Sequence, residues 1–241
     1  MVVTYMDYTS PNVQFFDDVN KNRFFTKDSG NYINVLGRQQ MNTIGEASLL
    51  DINLTRGNVV EPHVHQNASE LVYVVTGEAV VSFINPFTKE VLNFTAGPGQ
   101  SVLVPQGWIH WEVANKDNTK IIAIFDARQP EFIGISDFLR LAPTNTIAHT
   151  YCLDEAMLKE TLAPIKDTTV IGPPADCNKY HQPQTGVQGT SYNNPMMAPQ
   201  GYQEHMIQGP PSMQGVQSYS GQMKKDGYSR QIIGNGQRNN D

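Results

Sequence analysis

The feature that most constrains the fold is a series of short segments, rich in β-branched and aromatic residues, that begins at Ala47. The first, ASLLDINLTRG, alternates apolar and polar residues, and it is followed by LVYVVT, EAVVSFIN, VLNFTA, SVLVP, IHWEVA and TKIIAIFD. Glycine, proline and asparagine separate the segments. A period of two is typical of strands with one buried face. Many short strands at even spacing therefore predict an all-β barrel or sandwich, which we place at residues 47–128.

Three other segments flank this predicted barrel. Residues 1–46 mix aromatic pairs with polar residues, and we interpret them as an N-terminal arm that packs on a neighbouring element or subunit. SDFLRL and DEAMLKETLA have helical spacing, which predicts a helical segment at 129–165 that closes the barrel or mediates oligomerisation. Residues 166–241 are rich in Gln, Gly and Pro and poor in aliphatic residues, so they predict a disordered low-complexity tail.

Charge and hydropathy exclude several classes of partner. The formal net charge is −6, and no basic stripe occurs, which argues against nucleic acid. No run of 18 apolar residues is present, and the N-terminus lacks an apolar core preceded by basic residues. We therefore expect neither a membrane span nor a signal peptide, and synthesis in the cytoplasm. In such a chain Cys152 and Cys177 are interpreted as free thiols.

Four potential metal ligands lie in two motifs. In the first, His63 and His65 are two residues apart, so on a strand they project from the same face. Glu70 follows a short loop and opens the next strand, and His110 follows a Pro-x-Gly turn. Antiparallel pairing can bring all four into one layer. Three imidazoles and one carboxylate suit Mn, Fe, Ni, Cu or Zn better than Ca or Mg.

Glycines bound both motifs. They fall at the predicted strand junctions, where a positive φ or a sharp bend is needed. The residues concerned are Gly57, Gly77, Gly99 and Gly107.

The two motifs resemble those of the cupin superfamily, and HVHQNASELVYVVTGEA is similar to its germin and oxalate decarboxylase branch. The likeness extends over roughly residues 30–165, including SDFLRLAPTNTIAHTYCLDEAMLKETL, and each motif occurs once. The resemblance implies a single jelly-roll barrel, a double-stranded β-helix, that forms at least a dimer. It also implies an oxidoreductase or decarboxylase acting on a small carboxylate such as oxalate. Mn(II) is the first metal expected, with Fe, Ni, Cu or Zn as alternatives.

The substrate pocket departs from the family pattern at Val60. The decarboxylases it resembles carry an Arg three residues before the first ligand His, and oxalate-oxidising germins carry an Asn. Val60 cannot grip a carboxylate as those residues do. We expect the rest of the lining to come from apolar side chains of the strands and second motif: Val72, Val74, Leu103, and Trp108 or Trp111.

Two carboxylates are candidate catalytic residues. Glu131 lies in DARQPEFIGIS, where the decarboxylases have a proton-shuttling Glu, and it is either that shuttle or a solvated loop residue. Glu112 follows His110 by two residues, so a regular strand points it into the barrel as a base or extra ligand. The alternative is a β-bulge that turns it outward, which we favour because an unpaired buried carboxylate is costly.

The tail suggests a function of a different class. Its Gln, Tyr, Gly and Met content resembles, in composition only, that of spore-coat and other surface-assembly proteins. The alternative function is therefore a non-catalytic cupin that holds a metal and is incorporated into such an assembly through partners of its tail.

Overall fold

Two antiparallel β-sheets form the body of the molecule. The computed structural model describes residues 6–175 and 177, so most of the predicted tail lies outside the described residues. Within these residues the strands are, in chain order, β1 (Arg23–Thr26), β2 (Tyr32–Leu36), β3 (Ser48–Leu54), β4 (Val59–Val64), β5 (Glu70–Thr76), β6 (Ala79–Ile84), β7 (Val91–Ala96), β8 (Ser101–Val104), β9 (His110–Ala114), β10 (Thr119–Phe125), β11 (Ile133–Gly134) and β12 (Ile171–Gly172).

The strand order alternates between the sheets, as in a jelly-roll barrel. One sheet has the order β1-β2-β3-β10-β5-β8, and the other has the order β11-β4-β9-β6-β7, with β12 paired to the free side of β4. β2 pairs in regular antiparallel register with β3, from Tyr32 opposite Asn53 to Leu36 opposite Leu49. Part of the predicted N-terminal arm therefore continues the first sheet.

The predicted alternation decides which side chains enter the core. Along β5, Val72 and Val74 are fully buried while Leu71 and Tyr73 are exposed. The prediction for Leu103 is wrong, because this side chain is 58% exposed. β8 instead turns its neighbour Val104 inward, since successive side chains of a strand point to opposite faces.

A β-bulge lies opposite the second motif. β4 pairs Val60 with Glu112 and His63 with His110, so two residues of β4 oppose one residue of β9. The pairing of β9 with β6 on its other side is regular. Pro62, which has no amide hydrogen to donate, lies in the bulged part of β4. The bulge expected in β9 is therefore wrong: it belongs to β4, and β9 keeps Glu112 pointing inward.

The four glycines of the motifs all have φ between 75° and 83°, as predicted. At Gly77 the surroundings also exclude a side chain, because an added Cβ would lie 2.6 Å from the Cα of Thr119. Only glycine combines this backbone conformation with so close an approach.

Three short helices follow the barrel: α1 (Ile135–Leu141), α2 (Thr144–Tyr151) and α3 (Glu155–Leu162). α3 begins at Asp154, whose carboxylate accepts a hydrogen bond of 2.8 Å from the amide of Met157. Large apolar side chains of this segment are exposed, namely Phe138, Leu141, Tyr151, Leu153 and Met157. The homo-oligomer expected from the sequence stays a prediction. In the described residues no helix has the length and hydropathy needed to cross a membrane.

Candidate metal centre

The four predicted ligands meet inside the barrel. His63 comes from β4 and His65 from the residue after it plus one, while Glu70 and His110 are the first residues of β5 and β9. One ligand atom from each of the four lies within 4.8 Å of the others. All four residues are at most 4% exposed. Motifs that are 45 residues apart in sequence thus form one buried cluster because β4 pairs with β9.

The spacing of the ligand atoms fits a metal ion. Oε2 of Glu70 lies 2.8 Å from Nε2 of His110, 3.2 Å from Nε2 of His65 and 3.9 Å from Nε2 of His63. The Nε2 atoms of His63 and His65 are 3.2 Å apart. Ligand atoms bound at about 2.0–2.2 Å and at right angles to each other lie about 3 Å apart.

The outer nitrogen of each imidazole is held by a backbone carbonyl. These Nδ1···O distances are 2.7 Å from His63 to Glu61, 2.6 Å from His65 to Glu131 and 2.9 Å from His110 to Trp108. A carbonyl oxygen only accepts, so each Nδ1 carries the hydrogen, which leaves the Nε2 lone pair for a metal. The backbone therefore selects the tautomer that a metal ligand needs.

The local environment favours the protonation states of ligands. Burial alone would raise the pKa of the Glu70 carboxyl, but hydrogen bonds from His110 and His65 hold this pKa below its usual value. Burial, together with the neighbouring His110, lowers the pKa of His63 well below its usual value. An anionic carboxylate and a neutral imidazole are the forms that bind a metal ion.

Glu112 lies beside this cluster without belonging to it. The side chain is 1% exposed, and its Oε1 lies 3.9 Å from Nε2 of His110. Neither of its oxygens has a hydrogen-bond partner among the residues that the structure describes. Burial, and then the negative charge of Glu70, raise the pKa of Glu112 well above its usual value. The structure thus places this predicted site residue next to the ligands as an unpaired carboxyl.

Glu131 is placed differently. Its side chain is exposed, and its contact with the cluster is the backbone carbonyl that accepts from His65. The structure therefore brings the main chain of Glu131 to the centre and leaves its carboxylate at the surface. This arrangement supports a positioning role for the main chain rather than the predicted proton shuttle.

Two connected cavities lead from the surface to the ligands. The inner one, of about 30 Å³, is lined by all of the candidate ligands except His110, together with Val60 and Glu112. The outer cleft, of about 630 Å³, has Arg38 and Arg128 among its lining residues. Five residues line both cavities and so form the boundary between them: Phe24, Leu50, His65, Phe132 and Val170.

The loop 129–134, called the lid loop below, covers the inner cavity. The ring of Phe132 stacks on His63 with centroids 4.8 Å apart. Asn67 fixes the loop from both sides, because its Nδ2 donates to the carbonyl of Gln129 at 3.0 Å and its Oδ1 accepts from the amide of Glu131 at 2.7 Å. The position of Phe132 over the ligands thus depends on one side chain of the first motif, which sequence reasoning missed.

A second anchor, also missed, is Glu61. Its buried carboxylate accepts hydrogen bonds from the amide and the hydroxyl of Ser136, each at 3.0 Å, and from the amide of Val170 at 2.8 Å. It therefore ties the start of α1 and the segment before β12 to the ligand strand β4. The signal in the sequence was a carboxylate between Val60 and Pro62, inside an otherwise apolar strand.

Comparison with known proteins follows the same lines. A family model described as Cupin matches residues 19–159. A germin-like protein of Arabidopsis thaliana (subfamily 3 member 1) is 28% identical over 112 residues, covering 45% of this chain and 53% of the relative. A germin-like protein of Ipomoea nil is 32% identical over 117 residues, covering 47% and 54%. The chain spans about half the length of these two relatives.

Solved structures share the fold at low sequence identity. The coconut allergen cocosin has a TM-score of 0.58 and 21% identity, with 65% of this chain and 42% of that chain covered. Oxalate decarboxylase of Bacillus subtilis, in a structure concerned with its Mn(II) centers, has a TM-score of 0.58 and 19% identity, with coverage of 65% and 40%. At these identities the likeness shows the barrel architecture alone.

Proposed function

Since the chain belongs to the cupin family, we propose that it is a metal-dependent oxidoreductase or decarboxylase acting on a small carboxylate such as oxalate. The observation that carries this proposal is the convergence of three imidazole nitrogens and one carboxylate oxygen where the inner cavity meets the large cleft. Mn(II) is the first metal to test, and Fe, Ni, Cu and Zn suit the same mixed nitrogen and oxygen set.

The residues of the centre divide the work. His63, His65, Glu70 and His110 would hold the metal, which when bound supplies a Lewis acid with open positions that orient and polarise a carboxylate. Phe132 and the lid loop exclude bulk water from the ligands. Glu112, buried beside His110, is the side chain placed to hold a proton next to a bound substrate.

Two comparisons support this proposal. The relatives that match the chain are germin-like proteins. The similar barrel of the Bacillus subtilis enzyme is described with Mn(II) centers and as an oxalate decarboxylase, which makes this metal and this substrate the natural first pair to test.

One observation favours a second candidate, a non-catalytic cupin that holds a metal. In the described part of the chain, no Arg or Lys lines the inner cavity, and Val60 occupies the position where a carboxylate-binding residue would be. A dicarboxylate would meet no cationic partner there. The proposed role of this candidate in a spore coat or other surface assembly depends on the tail, which lies outside the described residues.

Turnover separates the two candidates. Full-length protein loaded with Mn(II) should release CO₂ from oxalate or a related small acid, or consume dioxygen with it. His110→Ala should abolish the activity, whereas His149→Ala, which changes an exposed histidine of α2, should leave it unchanged. A wild-type protein that retains Mn(II) and shows neither CO₂ release nor dioxygen uptake with a panel of small acids would favour the non-catalytic candidate.

A further inference from the structure

Glu112 is the described group in the inner cavity that the four-ligand cluster does not use. It projects from β9 on the same face as His110 and opposes Val60 of β4. Its Oε1 is 3.9 Å from Nε2 of His110, yet it is outside the set of ligand atoms that lie within 4.8 Å of one another. Glu112 therefore borders the space next to the ligands, where the end of a bound molecule would lie.

The carboxyl of Glu112 needs a partner that its protein surroundings do not supply. Both oxygens are without a hydrogen bond within residues 6–175 and 177. A buried polar group without a partner is destabilising and rare, and it calls for an explanation by water, ion or ligand. The cavity it faces, of about 30 Å³, has room for one or two water-sized groups.

The chemistry of the cavity restricts which group can fill it. A hydroxyl group both donates and accepts, so it pairs with Glu112 whether that carboxyl is ionised or protonated. An ionised carboxylate only accepts, and it would stand beside the carboxylate of Glu70 as well. In the described chain the remaining lining is apolar, aromatic or imidazole, so no Lys or Arg offsets this repulsion.

We infer that the inner cavity selects a small hydroxy acid over a dicarboxylate, with the ligand's hydroxyl group against Glu112 and its carboxylate toward the cluster. This inference rests on the proposed function, whose carboxylate substrate it narrows. The orphaned carboxyl, the small cavity and the apolar Val60 opposite are the three observations that point to it.

The test uses glycolate and oxalate as probes, because each has two carbons and they differ in one group. Binding of each acid to the full-length Mn(II)-loaded protein is measured by titration calorimetry, with metal content determined on the same samples. We expect glycolate to bind at least about tenfold more tightly than oxalate to the wild type, the size expected of a hydrogen bond to a charged group.

Two substitutions make the test specific to Glu112. Glu112→Leu removes the hydrogen-bonding group and should abolish the preference for glycolate. Glu112→Gln keeps an acceptor and adds an amide donor, so it should retain glycolate binding while improving that of oxalate.

The outcomes separate the inference from the proposed function. If Mn(II) is bound but oxalate binds as tightly as glycolate, or if Glu112→Leu keeps the wild-type ratio, then water alone partners Glu112 and the inference is overturned. If the wild-type protein binds no Mn(II) at all, the proposed function fails first, and the inference fails with it.

Discussion

The inner cavity has two sides that carry the same chemical group in different settings. On the ligand side, Glu70 accepts hydrogen bonds from imidazoles and its pKa lies below its usual value. On the opposite side, Glu112 faces Val60 without a partner and its pKa lies well above its usual value. The two residues are 3% and 1% exposed, so partners rather than burial decide which carboxyl is ionised. One side is built for a cation and the other for a hydrogen-bonding ligand.

Removing the charge on the ligand side should have the largest effect. Glu70→Gln keeps the shape of the side chain but loses the anionic ligand, so we expect the affinity for Mn(II) to fall by more than about 100-fold, beyond the loss typical of outer-shell changes. Metal titration monitored by calorimetry measures this.

The matched control for that experiment is Glu131→Gln. Its carboxylate is exposed, and its backbone carbonyl, which contacts His65, is unchanged by the substitution. Its Mn(II) affinity should equal that of the wild type, and an equal loss in both variants would refute the assignment of Glu70 as the anionic ligand.

On the opposite side, Glu112→Leu should stabilise the metal-free protein. The pKa of Glu112 is raised by folding from the ordinary value of 4.5, so above that pH the folded state binds more protons than the unfolded chain. The stability contributed by protonated Glu112 is present at low pH and is lost as the pH rises toward the folded-state pKa. The variant should therefore gain about 1–3 kcal/mol in its free energy of unfolding, the usual cost of an unsatisfied buried polar group.

The sign is checked by pH. Chemical denaturation should show a larger gain at pH 8 than at pH 5, and Glu90→Leu, the same change at an exposed position, should show no such dependence. A gain that is equal at both pH values would mean that Glu112 is ionised in the folded protein.

Loosening the boundary between the sides should have a smaller effect. Asn67→Ala removes two hydrogen bonds to the lid loop, which should raise hydrogen exchange of its amides by the equivalent of about 1 kcal/mol. Gln106→Ala is the control, because its side chain donates to the carbonyl of Gln66 and makes no recorded contact with the lid loop. Exchange that rises equally in both variants would show that Asn67 does not hold the loop.

Much of this cavity could be predicted from the sequence because its signals are local. Period-two segments located most strands of the barrel, and the spacing of His63 and His65 fixed their common face. β4 was not among the predicted segments, since Pro62 and the bulge interrupt its alternation. α2 was also missed, because its Thr and Asn residues favour helices weakly and it buries little beyond Ala148.

The orientation of Glu112 could not be decided in the same way. An extra residue between paired strands can be accommodated on either one, and β9 alone does not record that β4 takes it. Glu61 and Asn67 were missed for a related reason. Their partners lie at positions 129–136 and 170, far along the chain, so only the folded arrangement reveals them.

The central claim is that four side chains form one metal site, and metal content tests it most directly. Plasma mass spectrometry on purified full-length protein loaded with Mn(II) should find close to one ion per chain in the wild type and in His149→Ala, and almost none in His65→Ala. Equal metal content in His65→Ala and the wild type, or no bound metal in any of the three, would contradict the account.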